Sequence, residues 1–197
     1  MSKHQIASGA DYAPTAETEK VVKPGEFIFA SAFLDHGHIN GQTNGLKDAG
    51  AMLKWAFDPD AERLADFLEK NPEAQAAESY EQILNDPEVK LICSAAVPSE
   101  RARIGFQALE AGKDYFTDKS PFTTLEQLEQ ARELVAKTGK KYMVYYSERL
   151  HNEGGMAAGK LIDEGAIGKV LQVINLAPHR LSKSIRPDWF FDKEKYG

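Results

Sequence analysis

The chain has 197 residues, 42% of them hydrophobic and 27% charged, which supports one sizeable core and excludes collagen-like, disordered and disulfide-scaffold classes. The 30 acidic residues against 24 basic ones give a formal charge of -6, so a general nucleic-acid binder or a polybasic membrane binder is not expected. A single cysteine, Cys93, forbids an intrachain disulfide and a cysteine metal cluster. No apolar run approaches the ~18 residues of a membrane span, and the N-terminus lacks a signal-peptide core. A cytoplasmic protein is the expectation. At ~150 residues per domain, the length gives one domain and a remainder of about 50 residues.

Residues 1–25 are polar, end in Pro24-Gly25 and read as an extended leader. From Glu26 onward short apolar runs alternate with segments of helical period, which is the pattern of successive βα units and a parallel sheet. Strands are expected at 26–33, 52–57, 89–97, 114–118, 141–147 and 169–177, with a minor strand near 74–77. In the helix over 60–70, Leu64, Phe67 and Leu68 form the buried face. In the helix over 99–112, Ser99 caps, Ala102, Phe106 and Leu109 are buried, and Gly112 stops it. Over 124–139, Thr124 and Gln127 form a capping box, Leu125, Leu128, Arg132 and Val135 share a stripe, and Gly139 ends the helix. A weaker, glycine-diluted helix is expected over 154–165, around Met156, Leu161 and Ile162.

Parallel crossovers are right-handed, so the C-terminal ends of these strands share one edge, where ligands bind. The turns that converge there carry Asp35, His36, Gly37, His38 and Ile39, then Asp58, then Pro98 and Arg101, then Asp118 and Lys119, then Glu148-Arg149. A G-x-G-x-x-G turn is absent. Gly37, Gly41 and Gly45 recur every four residues, which aligns them along one face of the first helix and is consistent with packing alone. Against that stands Asp58, ~20 residues further on at a strand end, where an acid accepts the hydroxyls of an adenine ribose. His36 and His38 suggest a metal, but two histidines are too few ligands and the sequence places no third, so none is expected.

Lys119 is either a surface lysine paired with Asp118 or a group that stabilises a developing alkoxide. Arg101 at a helix start opposes the helix dipole, which leaves a ligand-facing role or a solvated charge. His179, Arg180, Arg186 and Trp189 mix bases and an indole, as a sugar or polyol pocket would, although Trp189 with Phe190 and Phe191 can equally anchor a loop. Cys93 lies in a buried strand and reads as packing.

Lys119 in FTDKSPFTT, with ALEAGKDY upstream and LIDEGAIGKV downstream, resembles the glucose-fructose oxidoreductase / inositol dehydrogenase / MocA family, from about Glu26 to Gly197. The resemblance implies an α/β fold: a Rossmann doubly wound parallel sheet over 26–147, then a linking helix and the start of an incomplete α+β substrate domain over 148–197. It implies an NAD(P)-dependent oxidoreductase that transfers hydride to or from a sugar, cyclitol or related hydroxyl or carbonyl compound. Lys119 matches the lysine of the family's Glu-Lys-Pro motif at nicotinamide and substrate. Asp118 replaces its Glu, and Ser120-Pro121 offers a turn in which a cis bond could survive one residue later.

Asp58 matches the acid that holds the adenosine ribose, favouring NAD over NADP. Pro98 matches the proline after the fourth strand, Arg101 stands where the family commonly has His, and Arg149 matches the arginine after the sixth strand. LDHGHINGQTNG looks like a variant phosphate loop. The family's catalytic Asp and His fall beyond Gly197, so the alternative is a non-catalytic module that binds a dinucleotide or sugar. A homo-oligomer is implied once the C-terminal domain is complete.

Overall fold

Strand β1 (Ile28–Ala32) is flanked by two parallel neighbours and carries fully buried Phe29, Ala30 and Ala32, whose alternation sends apolar side chains to both faces of the sheet. The computed structural model describes residues 19–147, 152–176 and 180–196. The other strands are β2 (Met52–Phe57), β3 (Gln75–Ala76), β4 (Val89–Ser94), β5 (Asp114–Asp118) and β6 (Tyr142–Tyr145). All pairings are parallel and the order is β3-β2-β1-β4-β5-β6. This is the doubly wound Rossmann arrangement expected from the sequence, with its switch point between β1 and β4.

Helices cover both faces. On one side Phe29, Leu91 and Cys93 pack with Ile39 of α1 (His38–Asp48) and Phe67 of α2 (Ala61–Lys70). On the other, Ala30, Ala32 and Ile92 pack with Ile83 of α3 (Tyr80–Asn85), Ile104 and Leu109 of α4 (Pro98–Glu110), and Leu134 of α5 (Leu125–Thr138). Burying a side chain such as Phe67 contributes about 1.5–3 kcal/mol.

The local differences from the sequence expectations have physical causes. β1 ends at Ala32 because Phe33 adopts φ 57°, which breaks the extended chain. β4 ends at Ser94, and α4 begins at Pro98, whose missing N–H suits a first helical position, so Ser99 is not the cap. In α5 the Thr124–Gln127 capping box and left-handed Gly139 form as expected. Its buried residues are Ala131 and Leu134; Leu125 is exposed and Arg132 turns outward to Glu129. Of the three spaced glycines only Gly41 makes a close approach: a Cβ there would stand 2.5 Å from Tyr145 Oη, whereas Gly37 and Gly45 meet nothing within 4 Å. Helix α3 has no counterpart among the expected elements.

The described residues fall into two compact units, 19–145 with 188–196, and 146–187. The second contains α6 (Glu153–Asp163), capped by Asn152 Oδ1 on the Gly155 N–H, and a 3-10 turn at Lys183–Ile185. The strand expected at 169–177 does not form over 169–176, and residue 177 lies outside the described residues. A strand exists through ladder bonds to a neighbour, and among the described residues nothing pairs with this segment; Leu171, Val173, Ile174 and Leu176 are exposed. Residues 188–196 form a 3-10 turn (Asp188–Phe191) and α7 (Lys193–Tyr196).

Candidate active site

At the C-terminal edge of the sheet two buried aspartates hold the loop between β1 and α1. Asp58, at the end of β2, accepts the Leu34 N–H at 2.6 Å and the Asp60 N–H at 2.8 Å. Arg63, on the first turn of α2, closes over this end: Nε donates to Asp58 at 3.2 Å, Nη1 to Asp35 at 2.7 Å, and Nη2 to Asp60 at 3.3 Å. Asp60 also caps α2 by accepting the Glu62 and Arg63 N–H groups. Burial raises the Asp35 carboxyl above its ordinary value, and the Arg63 charge offsets only part of that.

The other aspartate is Asp118, at the end of β5. Its Oδ1 accepts the Lys119 N–H at 2.8 Å and lies 2.8 Å from His38 Nδ1; its Oδ2 lies 3.3 Å from His36 Nδ1 and accepts from Arg101 Nη2 at 3.3 Å. Burial pushes this carboxyl up, but the hydrogen bonds from His36 and His38 and the Arg101 charge outweigh it and hold it far below the usual carboxylate range. Arg101 is itself buried and ties three segments together, donating to Ala96 O at 2.7 Å and Ser120 O at 3.1 Å besides Asp118. Here the cis peptide is Lys119-Ser120, not Ser120-Pro121.

The structure therefore gathers Asp35, His36, Gly37, His38, Ile39, Asp58, Pro98, Arg101, Asp118 and Lys119 along one edge of the first unit. Ile39 and Pro98 are buried, and Lys119 is half-buried. Trp189 joins them: it is buried, its ring centroid stands 6.3 Å from that of His36, and Phe190 stands 5.9 Å from His36. Arg180 and Arg186 belong to the other unit, where Arg186 Nε donates to Leu181 O. Arg149 and His179 lie outside the described residues.

Sequence reasoning missed Arg63. The signal was present in Asp58-Pro59-Asp60-Ala61-Glu62-Arg63, where a capping aspartate and a basic residue one turn later face the same loop. It also missed the third group beside the histidines: His36, His38 and Asp118 bring ligand atoms within 4.8 Å of one another. A metal fits that trio poorly, because Asp118 already accepts from the Arg101 guanidinium, whose charge would oppose a second cation there. Cys93 is fully buried against Ser31 and Thr43, and burial pushes its thiol up to about 11, which leaves it inert.

A dinucleotide fits this edge better. Gly37, exposed at the N-terminus of α1, has open space where a Cβ would stand, so a pyrophosphate can approach the backbone there. Residues 34–146 match the family described as an oxidoreductase family with an NAD-binding Rossmann fold. The chain belongs to the Gfo/Idh/MocA family. The chain is 31% identical over 143 residues to D-xylose dehydrogenase of Paenarthrobacter nicotinovorans, covering 68% of this chain and 36% of that protein. It is 28% identical over 101 residues to inositol 2-dehydrogenase of Salmonella typhimurium, covering 51% and 30%.

A crystal structure of a presumed oxidoreductase from Erwinia carotovora atroseptica SCRI1043 superposes with a TM-score of 0.83 at 41% identity, over 87% of this chain and 51% of that one. The fold is shared, at 19% identity and a TM-score of 0.64, with the WlbA dehydrogenase of Chromobactrium violaceum in complex with NADH and UDP-GlcNAcA, over 75% and 44% of the two chains. The chain thus spans about a third of the curated relatives and about half of these crystal structures. No helix among the described residues is long and apolar enough to cross a membrane.

Proposed function

We propose that this chain is the cofactor-binding portion of an NAD-dependent oxidoreductase acting on a hydroxyl or carbonyl of a sugar, cyclitol or related compound, with Lys119 at the substrate oxygen. The observation that carries this reading is the meeting of Asp118-Lys119 with the His36–His38 loop beside the sheet's switch point. In a Rossmann fold a dinucleotide crosses the sheet edge at that point, with its pyrophosphate at the N-terminus of the first helix. When bound, the nicotinamide accepts or supplies hydride. Lys119 stabilises the negative charge that develops on the substrate oxygen, and Asp118 fixes the Lys119 backbone.

Asp35, Asp58 and Asp60 share one guanidinium, that of Arg63. This end is net negative and suits ribose hydroxyls over a 2′-phosphate, so NAD is favoured over NADP. Residues 26–147 would form the cofactor domain and 148–197 the start of a substrate domain, with Arg149, His179, Arg180, Arg186 and Trp189 toward substrate. A cytoplasmic homo-oligomer completes the reading.

Calorimetric titration with NAD, NADH and NADP tests it, and absence of binding to all three would overturn it. A second reading is that this chain binds a dinucleotide or sugar without turning it over. Oxidation of D-xylose or myo-inositol by the full chain, lost in Lys119→Ala, would exclude that second reading.

A further inference from the structure

Lys119 lies between two residues that one side chain holds. Arg101, on the first turn of α4, donates from Nη2 to Asp118 Oδ2 at 3.3 Å and from Nη1 to Ser120 O at 3.1 Å. Its guanidinium therefore grips the chain immediately before and immediately after the lysine. Nε donates to Ala96 O at 2.7 Å, which anchors the same plane just beyond the end of β4. Asp118 completes the hold, because its other oxygen accepts the Lys119 N–H at 2.8 Å. The Arg101 side chain is 1% exposed and that of Asp118 2%, so bulk water does not compete for these bonds. A second tie joins the same two segments: Tyr142 Oη stands 3.4 Å from both Arg101 O and Pro121 O, and its proton serves one of them at a time.

Three acceptors in three directions call for a planar fork of donors, which a guanidinium has. An imidazole has two ring nitrogens and serves at most two of them, and an ammonium is a compact point charge. We propose that Arg101 is a positioning residue for Lys119: it fixes the lysine backbone from both sides and so sets the place of the ammonium at the substrate oxygen. The proposal rests on the oxidoreductase reading above, in which Lys119 stabilises the charge on that oxygen. A misplacement of about 1 Å can cost about 100-fold in rate. Arg101→Lys keeps a positive charge beside Asp118 but cannot bond Asp118, Ser120 O and Ala96 O in the same geometry.

Two measurements on the full chain test this. Hydrogen exchange compares the wild type with Arg101→Lys. The Lys119 amide should exchange at least about tenfold faster in the variant, while the amides of β1 stay within about twofold. A Lys119 amide as protected as in the wild type overturns the proposal, and so does equal acceleration in β1, which would mean that Arg101 serves global stability alone. The second measurement is kinetic, with D-xylose or myo-inositol and with NAD raised to saturation for each variant, so that a change in NAD affinity does not enter kcat. Arg101→Lys should lower kcat by about 10- to 100-fold and leave the sugar KM within about threefold. In a Lys119→Ala background the same substitution should cost no further kcat, since the group that it displaces is gone. An undiminished loss in that background, or an unchanged kcat in Arg101→Lys, defeats the positioning role. If the wild type oxidises neither sugar, hydrogen exchange alone decides whether Arg101 holds Lys119. If it also binds no nicotinamide dinucleotide, the oxidoreductase reading fails and the catalytic half of the proposal with it.

Discussion

The two ends of the sheet edge solve one problem with different chemistry. At each, a buried aspartate at a strand end accepts a backbone N–H and pins a loop, Leu34 at one end and Lys119 at the other. At the Asp58 end the counter-charge is Arg63, one third exposed and shared among three carboxylates. At the Asp118 end it is Arg101, 1% exposed and fixed by two carbonyls, with two imidazoles alongside. The first end carries fixed charge and suits holding a neutral ribose. The second adds two imidazoles, each with nitrogens that can donate or accept a hydrogen bond, and suits chemistry.

The comparison breaks most sharply by deleting each carboxylate. Asp118→Ala leaves Arg101 buried without its partner and should cost about 3–5 kcal/mol. Asp58→Ala strands two N–H groups, but Arg63 can turn to solvent, so about 1–3 kcal/mol is expected. Urea denaturation of both variants measures this, and equal losses would mean that the two ends are energetically alike.

Acid should also separate them, with opposite signs. The folded-state pKa of Asp118 is depressed, so its contribution is fully present above the unfolded carboxylate value of about 3.9 and is lost as pH falls below it. That of Asp35 is raised, so its contribution is present below the unfolded value and is lost as pH rises through the folded one. Asp118→Asn should therefore flatten the acid limb of the stability curve and Asp35→Asn should steepen it. Thermal melts from pH 3 to 7 read both slopes, and changes of one sign in the two variants would contradict the assignment.

How much of this was legible depends on range. Alternation and capping fixed the Rossmann strands to within a few residues, since β2 and β5 depend on their own composition. The edge residues followed, because strand ends in a parallel sheet share a side. The strand at 169–177 failed for the complementary reason: its apolar residues say what it would pair like, and pairing needs a neighbour. Nor could local pattern show that Arg101 is buried, because the groups that satisfy it, Ala96, Asp118 and Ser120, lie on two other segments. Arg63 was hidden in the same way, since Asp35 lies 28 positions away.

Helix α1, which carries the loop into both ends, offers a smaller contrast. Gly41→Ala would drive a Cβ into Tyr145, and about 1–3 kcal/mol of destabilisation is expected. Gly45→Ala meets open space and should gain about 0.5–1 kcal/mol through helix propensity. Denaturation midpoints decide, and a gain at both positions would show that α1 has room against β6.

Arg63→Met sharpens the comparison with the least disturbance. The side chain is one third exposed, so its ion pairs are partly screened by solvent and the stability change should stay below about 1 kcal/mol. The functional readout is more sensitive. Removing the guanidinium leaves Asp35, Asp58 and Asp60 without the cation they share. A 2′-phosphate would then meet uncompensated negative charge, while a ribose hydroxyl would find a carboxylate with a vacant lone pair. NADP affinity should fall several-fold and NAD affinity should hold or rise, by calorimetry at low salt, where screening is weakest. A parallel loss of both would mean that Arg63 holds the cofactor directly and that the Asp58 end is not the neutral-ribose site that its charge implies.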